Sequence, residues 1–193
     1  MTNRKRSCTI LLWRRLDLPG HEIGRLEGGD DGWKLSGTAV FVHERRPCKL
    51  DYLVVCDSGW RTTSARVKGA IGDQEIDLSA SVDEERRWYL NGAACPAVVG
   101  CIDIDLGFSP STNLLPIRRL SLAVGEEADV RAAWLPFPSL VFEPLSQVYR
   151  REGERAYRYA SGGGTFVRML EVNAAGFVTS YPSLWQAECD ITS

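Results

Sequence analysis

Two acidic residues two positions apart, Asp103 and Asp105, are the feature of this sequence with most chemical potential. If the surrounding stretch is a strand, both side chains project from one face. Carboxylates placed this way raise each other's pKa unless cations sit nearby. The neighbouring cations in sequence are Arg118 and Arg119. Three arrangements follow: solvated ion pairs on a sheet face, a buried aspartate–arginine network that fixes the sheet, or a polar patch in a ligand cavity. A paired-carboxylate glycosidase belongs with the third. It needs its carboxyls across a sugar cleft, whereas i,i+2 neighbours on a strand point in parallel.

Other catalytic chemistry finds little footing, and no catalytic residue is assigned. A serine or cysteine nucleophile needs a base, most often histidine. The chain has only His21 and His43, and His43 beside Glu44 and Arg45 reads as a solvated strand end. There is no G-x-S-x-G, no phosphate-binding P-loop, no G-x-G-x-x-G after a strand and no H-E-x-x-H. The triple glycine at 162–164 lacks the Lys-Ser/Thr ending of a phosphate loop and reads as a hairpin or bulge device. The six cysteines, Cys8, Cys48, Cys56, Cys95, Cys101 and Cys189, show no C-x-x-C spacing, so no metal and no cofactor is expected.

Composition narrows the partners. A formal net charge of −2 sets up no field for nucleic acid or anionic membrane. The basic cluster Arg4-Lys5-Arg6 reads as a solvated tail. The apolar residues Ile10, Leu11, Leu12 and Trp13 meet Arg14 and Arg15 too soon for a signal segment, and no run is long enough to span a bilayer. A cytoplasmic location with reduced thiols is expected.

The aromatic residues offer a second kind of chemistry. Trp60, Trp134, Tyr149, Tyr157 and Tyr159 combine a broad apolar face with a polar handle, which suits either a β-core or a cavity for an amphipathic ligand. Tyr157 and Tyr159 share one strand face. The segment 132–138, Ala-Ala-Trp-Leu-Pro-Phe-Pro, reads as an extended edge, a loop on the core or a lid.

The elements that must position these residues are mostly strands. Alternation predicts strands at 33–41, 76–82, 101–106 and 166–171, and apolar residues of both parities at 50–57 predict a strand covered on two faces. Turn signals at short intervals, such as Asp57-Ser58-Gly59 and Asn91-Gly92, point to an antiparallel meander, sandwich or barrel. Short helices are expected at 83–91 and 183–190. Gly100, Gly107, Pro116 and Pro144 are candidates for strand bends. The segments 52–68 and 157–172 echo one another as strand, small-residue turn, strand. That pattern marks either an internal duplication or two unrelated hairpins.

Several strings then point to a family. They are Cys-Asp-Ser-Gly-Trp-Arg-Thr at 56–62, Gly-Cys-Ile-Asp-Ile-Asp-Leu at 100–106 and Ser-Pro-Ser-Thr-Asn-Leu-Leu-Pro-Ile-Arg-Arg-Leu at 109–120. Ala-Ala-Trp-Leu at 132–135, Tyr-Arg-Tyr at 157–159 and Tyr-Pro-Ser-Leu-Trp at 181–185 follow in order. Together they resemble the bacterial family known as putative glycolipid-binding proteins, over roughly residues 30–187 of what reads as a single β domain, 1–193. The resemblance implies an open, strongly curved antiparallel sheet, a half-barrel similar to bacterial lipoprotein carriers, with an apolar cavity on its concave side. Thr63 stands where that family often has arginine.

The expected function is non-enzymatic binding of a glycolipid-like small molecule in that cavity. Arg61, Asp103, Asp105, Asn113 and Arg118 are the candidates for its polar end. Trp60, Trp134, Tyr149, Tyr157 and Tyr159 are the candidates for its apolar wall. Two alternatives stand beside it: an enzyme acting on a sugar or lipid ester through Asp103 or Asp105, and a protein-interaction module using the segment 132–138.

Overall fold

The computed structural model describes residues 8–29 and 31–192. Its strands form one 15-stranded sheet, curved but not closed into a barrel. The first half runs outward from the sheet's centre as β1 (Cys8–Arg15), β2 (Gly20–Gly29), β3 (Gly32–His43), β4 (Arg46–Cys56), β5 (Thr62–Ile71), β6 (Gln74–Val82), β7 (Trp88–Leu90) and β8 (Ala93–Ala94). The second half runs back to the centre as β9 (Ile104–Leu106), β10 (Glu127–Leu135), β11 (Glu143–Arg151), β12 (Ala156–Ser161), β13 (Phe166–Val172), β14 (Val178–Tyr181) and β15 (Trp185–Thr192). The first and last strands, β1 and β15, therefore pair in the middle. Every pairing is antiparallel except that of β9 with β10.

This order leaves the two sheet edges, β8 and β9, to be joined by one crossing segment. Residues 95–103 make that crossing and touch both halves. Thr62 N–H donates to the Ile102 carbonyl at 3.2 Å, and Arg131 donates to the carbonyls of Ala97 and Val99 at 2.6 and 2.7 Å. Arg86 fastens the crossing further, donating to the carbonyls of Thr62, Cys101 and Ile102 at 2.8–3.2 Å. Both edge strands are very short, which limits pairing with other chains.

Period-2 patterning decides which face is buried. In β4 one parity is buried, Cys48, Leu50, Tyr52, Val54 and Cys56, while Leu53 on the other parity is exposed. The two-faced covering expected at 50–57 is therefore absent, and this strand has a single apolar face. The helix expected at 83–91 is instead a turn followed by β7. Asp83 accepts from the Arg87 backbone N–H at 2.8 Å and from Arg87 Nε at 2.6 Å, closing the turn. Asp57 and Arg61 repeat this device at 2.9 and 2.8 Å. The helix expected at 183–190 is mostly β15. The helix that does form, α1 (Leu114–Leu120), begins one residue after Asn113. Pro116 bends no strand; it lies in the first turn of α1, where its missing N–H leaves no hydrogen bond unmade. The two echoing segments are the hairpins β4–β5 and β12–β13.

The inner face of the first half is filled by the long β9–β10 connection and by the β10–β11 loop. Phe108 packs edge-on to Tyr52, Phe137 to Phe41 and Phe142 to Trp88, with ring centroids 5.0–6.2 Å apart. The Pro-broken segment 132–138 is part of this packing, with Ala132, Ala133 and Leu135 buried in β10, so it offers no exposed apolar patch. Trp13, fully buried beside the centre, donates its indole N–H to the Val178 carbonyl at 2.6 Å and joins the halves.

Two glycines make the packing at the centre possible. Gly24 of β2 and Gly37 of β3 are cross-strand neighbours, and Gly37 in turn pairs with Tyr52 of β4. With no side chains there, Tyr52 lies across Gly37 and Trp13 lies over Gly24. A methyl at Gly37 would overlap the Tyr52 hydroxyl and the Ile23 carbonyl. We predict that Gly37→Ala lowers stability by about 1–3 kcal/mol. The readout is a lower urea midpoint with an unchanged slope. An unchanged midpoint would show that Tyr52 does not need this space.

Candidate functional site

The inner face of the second half is less completely covered. On β11, β12 and β13 the inward parity carries Gln147 and Tyr149, Tyr159 and Ser161, and Phe166 and Arg168. Register places Tyr149 beside Tyr159 and Tyr159 beside Arg168, with Gln147 beside Ser161 and Ser161 beside Phe166. From the edge, β9 contributes Asp105, paired with Trp134 of β10. From the centre, β14 contributes Tyr181. Gln147, Tyr149, Tyr159 and Tyr181 are buried, whereas Asp105, Trp134, Ser161, Phe166 and Arg168 keep partial exposure. We call this aromatic and polar, partly exposed strip of the inner face the groove.

Its parts are held in place by direct contacts. Tyr149 and Tyr159 meet edge to face at 5.1 Å, and Tyr159 meets Phe166 and Tyr181 at 6.1 Å each. The Arg168 guanidinium lies 4.5 Å from the Phe166 ring centre. Gln147 Nε2 donates to Asp105 Oδ2 at 2.5 Å, and Asn113 Nδ2 donates to the Tyr149 hydroxyl at 2.8 Å.

Asp105 is the electrostatic centre of the groove. Burial pushes its carboxyl up to about 6, and only the Gln147 hydrogen bond works against that shift. Burial also pushes the hydroxyls of Tyr149, Tyr159 and Tyr181 upward, and the Asp105 charge adds to each shift. These tyrosines are neutral donors across the physiological range. The groove therefore partly exposes the Asp105 carboxyl and the Trp134 and Phe166 rings, above a buried carboxamide and buried phenol hydroxyls. In general, a carboxylate beside aromatic faces can accept from hydroxyl groups and pack against apolar surface.

Half of the predicted site residues meet here: Asp105, Asn113, Trp134, Tyr149 and Tyr159. The others lie elsewhere. Asp103 precedes β9 and is buried in a two-pronged ion pair with Arg119, with N–O distances of 2.6–3.2 Å. It fixes the connection to the sheet, so the Asp103–Asp105 pair does not present two carboxyls to one cleft. Arg61 is exposed and tied to Asp57 in the turn described above. Trp60 stacks on Trp33 at 4.1 Å, and Arg118 sits 5.2 Å above the Trp60 ring. Tyr157 lies beneath Arg151 at the far end of β12. Gln147, Phe166 and Arg168 were not foreseen. Their i,i+2 spacing to Tyr149 and to one another carried the signal, because residues of one strand parity share a face.

A second polar cluster is wholly internal. Tyr52 Oη donates to Glu22 Oε1 at 2.7 Å, and Ser109 Oγ donates to the same oxygen at 2.5 Å. Ser109 and Ser111 hydroxyls are 2.6 Å apart. Glu22 Oε2 is buried and has no hydrogen-bond partner among the described residues. Burial pushes the Glu22 carboxyl up to about 8, against the pull of Ser109, Tyr52 and the Arg15 charge. A value near 8 favours the protonated acid at neutral pH. No motif in the sequence announced it.

Such a carboxyl binds its proton more tightly in the folded state than in the unfolded chain. Its favourable contribution is complete below the unfolded value of 4.5 and is lost as pH climbs to about 8. Asp105 acts with the same sign, but its shift ends near 6. The stability difference between wild type and Glu22→Gln should therefore drift between pH 6 and 8, by at most about 1.4 kcal/mol per pH unit in favour of the variant. Denaturant unfolding across that window measures it. A difference constant with pH would mean that Glu22 is ionised in the fold.

Comparison with known proteins agrees with this architecture. Among curated proteins none matches the chain. A crystal structure of a DUF1089 family protein from Pseudomonas aeruginosa is similar, with a TM-score of 0.76 and 33% identity over 86% of this chain and 91% of that one. The model of the family described as putative glycolipid-binding matches residues 10–187, beginning earlier than the resemblance at 30–187 implied. By a match over nearly its whole length, this chain belongs to the putative glycolipid-binding family.

Proposed function

We propose that the protein is a non-enzymatic binder of an amphipathic, glycolipid-like molecule, held in the groove of β9–β13. The observation that carries this reading is the meeting of Asp105 and Gln147 with Tyr149, Tyr159, Phe166 and Trp134 on one partly open inner face. The sugar lies against Asp105, Gln147 and the tyrosines. The alkyl part lies along Trp134 and Phe166. The family's description supports the ligand class. Binding is favoured over glycoside hydrolysis because Asp103 is locked to Arg119, which leaves Asp105 without its sequence partner. A cytoplasmic location is part of the proposal, and the buried thiols of Cys48, Cys56 and Cys101 suit a reducing compartment.

Calorimetric titration with hexyl, heptyl and octyl glucosides below their micellar concentrations tests this. Affinity should rise about fourfold per added methylene, the equivalent of about 0.8 kcal/mol. Trp134→Ala and Gln147→Ala should each weaken binding about tenfold. Affinity should also rise as pH passes upward through about 6, because the ionised Asp105 accepts sugar hydroxyls more strongly, and Asp105→Asn should flatten that profile. Equal affinity for all three chains, or wild-type affinity in both variants, would contradict the assignment. Turnover of an aryl glycoside lost in Asp105→Asn would instead support an enzyme.

A further inference from the structure

A pocket of about 330 Å³ opens at the opposite end of β11–β13 from the groove, between the C-terminal end of α1 and two hairpin turns. Its lining includes Arg118, Arg151 and Arg155, with Tyr157 buried at its base. Arg151 is pinned: Nη1 donates to the Leu122 carbonyl at 2.8 Å, Nη2 to Glu154 at 2.7 Å and Nε to Gly153 at 3.2 Å. Those carbonyls fix the guanidinium without neutralising it. Arg118 and Arg155 form no ion pair within 4.0 Å among the described residues, and Glu154 is the one carboxylate side chain lining the pocket.

Arg118 is held in place although it is exposed. Its guanidinium is stacked above Trp60, which is stacked on Trp33. Its aliphatic stem runs over Gly176, where a Cβ would lie 2.9 Å from Arg118 Cδ. Gly176 also has φ +96°, a conformation that favours glycine. The tryptophan stack and the bare glycine together hold Arg118 at the rim of a pocket that Arg151 and Arg155 also line. Three guanidinium groups against one carboxylate leave the pocket an excess of positive charge suited to a dianion.

We propose that this pocket binds a phosphate monoester group, supplied either by a lipid headgroup or by a free phosphorylated compound. Arg118 and Arg155 grip the phosphoryl oxygens, and Arg151 provides fixed charge behind them. The inference does not depend on the ligand of the groove, because the two sites lie at opposite ends of the same strands.

Calorimetry with inorganic phosphate and with soluble dihexanoylphosphatidic acid, both in chloride buffer, tests it. Inorganic phosphate should bind with a dissociation constant of about 1 mM or tighter. Arg118→Gln and Arg155→Gln, both at exposed positions, should each weaken it about tenfold. Arg66→Gln on the outer face removes the same charge and should leave binding unchanged. Phosphatidic acid binding at least tenfold tighter than phosphate identifies a lipid headgroup, and equal affinities identify a free phosphorylated compound. Binding of neither probe, or equal weakening by Arg66→Gln, overturns the proposal. Octyl glucoside affinity should be unaltered in the arginine variants, so failure here is distinct from failure of the groove assignment.

Discussion

Glu22 is the point where the sheet and the segment packed inside it are tied together. Its carboxyl takes a hydrogen bond from Tyr52 of the sheet and one from Ser109 of the β9–β10 connection. Both bonds reach one oxygen, and Tyr52 lies where it does because Gly37 and Gly24 leave room for its hydroxyl end. Burial raises the carboxyl to about 8, and a carboxyl that keeps its proton carries the burial cost of a polar group rather than that of a charge. The connection is thereby held on the first half of the sheet, with Phe108, Phe137 and Phe142 filling that half's inner face.

The division of labour between the halves follows. The first half is a filled core. The second half carries the same strand pattern with less covering it, so its inward residues are both packed and partly exposed. Both proposed binding sites lie there. The α1 segment reaches across it, with Asn113 orienting the Tyr149 hydroxyl on one side and Arg118 facing the basic pocket on the other. The long family-like string at 109–120 thus serves several purposes: Ser109 and Ser111 in the buried network, Asn113 at the groove, Arg118 at the pocket and Arg119 on Asp103.

Much of the fold was legible in the sequence, because period-2 alternation is a direct consequence of strand geometry and survives in isolation. The strands at 33–41, 76–82 and 166–171 were readable for that reason. The helices were not. Residues 83–91 looked helical, but Asp83 and Arg87 bond locally and close a turn. Pro116 looked like a strand bend, but proline is equally at home in a helix's first turn. The site was half legible. Asp105, Trp134 and the tyrosines announced themselves by type. For Asp103 the buried aspartate–arginine arrangement with Arg119, one of the three the sequence allowed, is the one that forms, whereas the Gln147 partner of Asp105 lies 42 residues away and is set by tertiary structure. Glu22 carried no local signal, because its character comes entirely from burial.

The central claim is that the groove of β9–β13 holds a sugar and an alkyl chain side by side. A crystal structure grown with octyl glucoside tests this most directly. The account predicts the sugar ring against Asp105 and Gln147, with the alkyl chain along Trp134 and Phe166. An empty groove at saturating glycoside, or a ligand bound with its sugar away from Asp105, would contradict it.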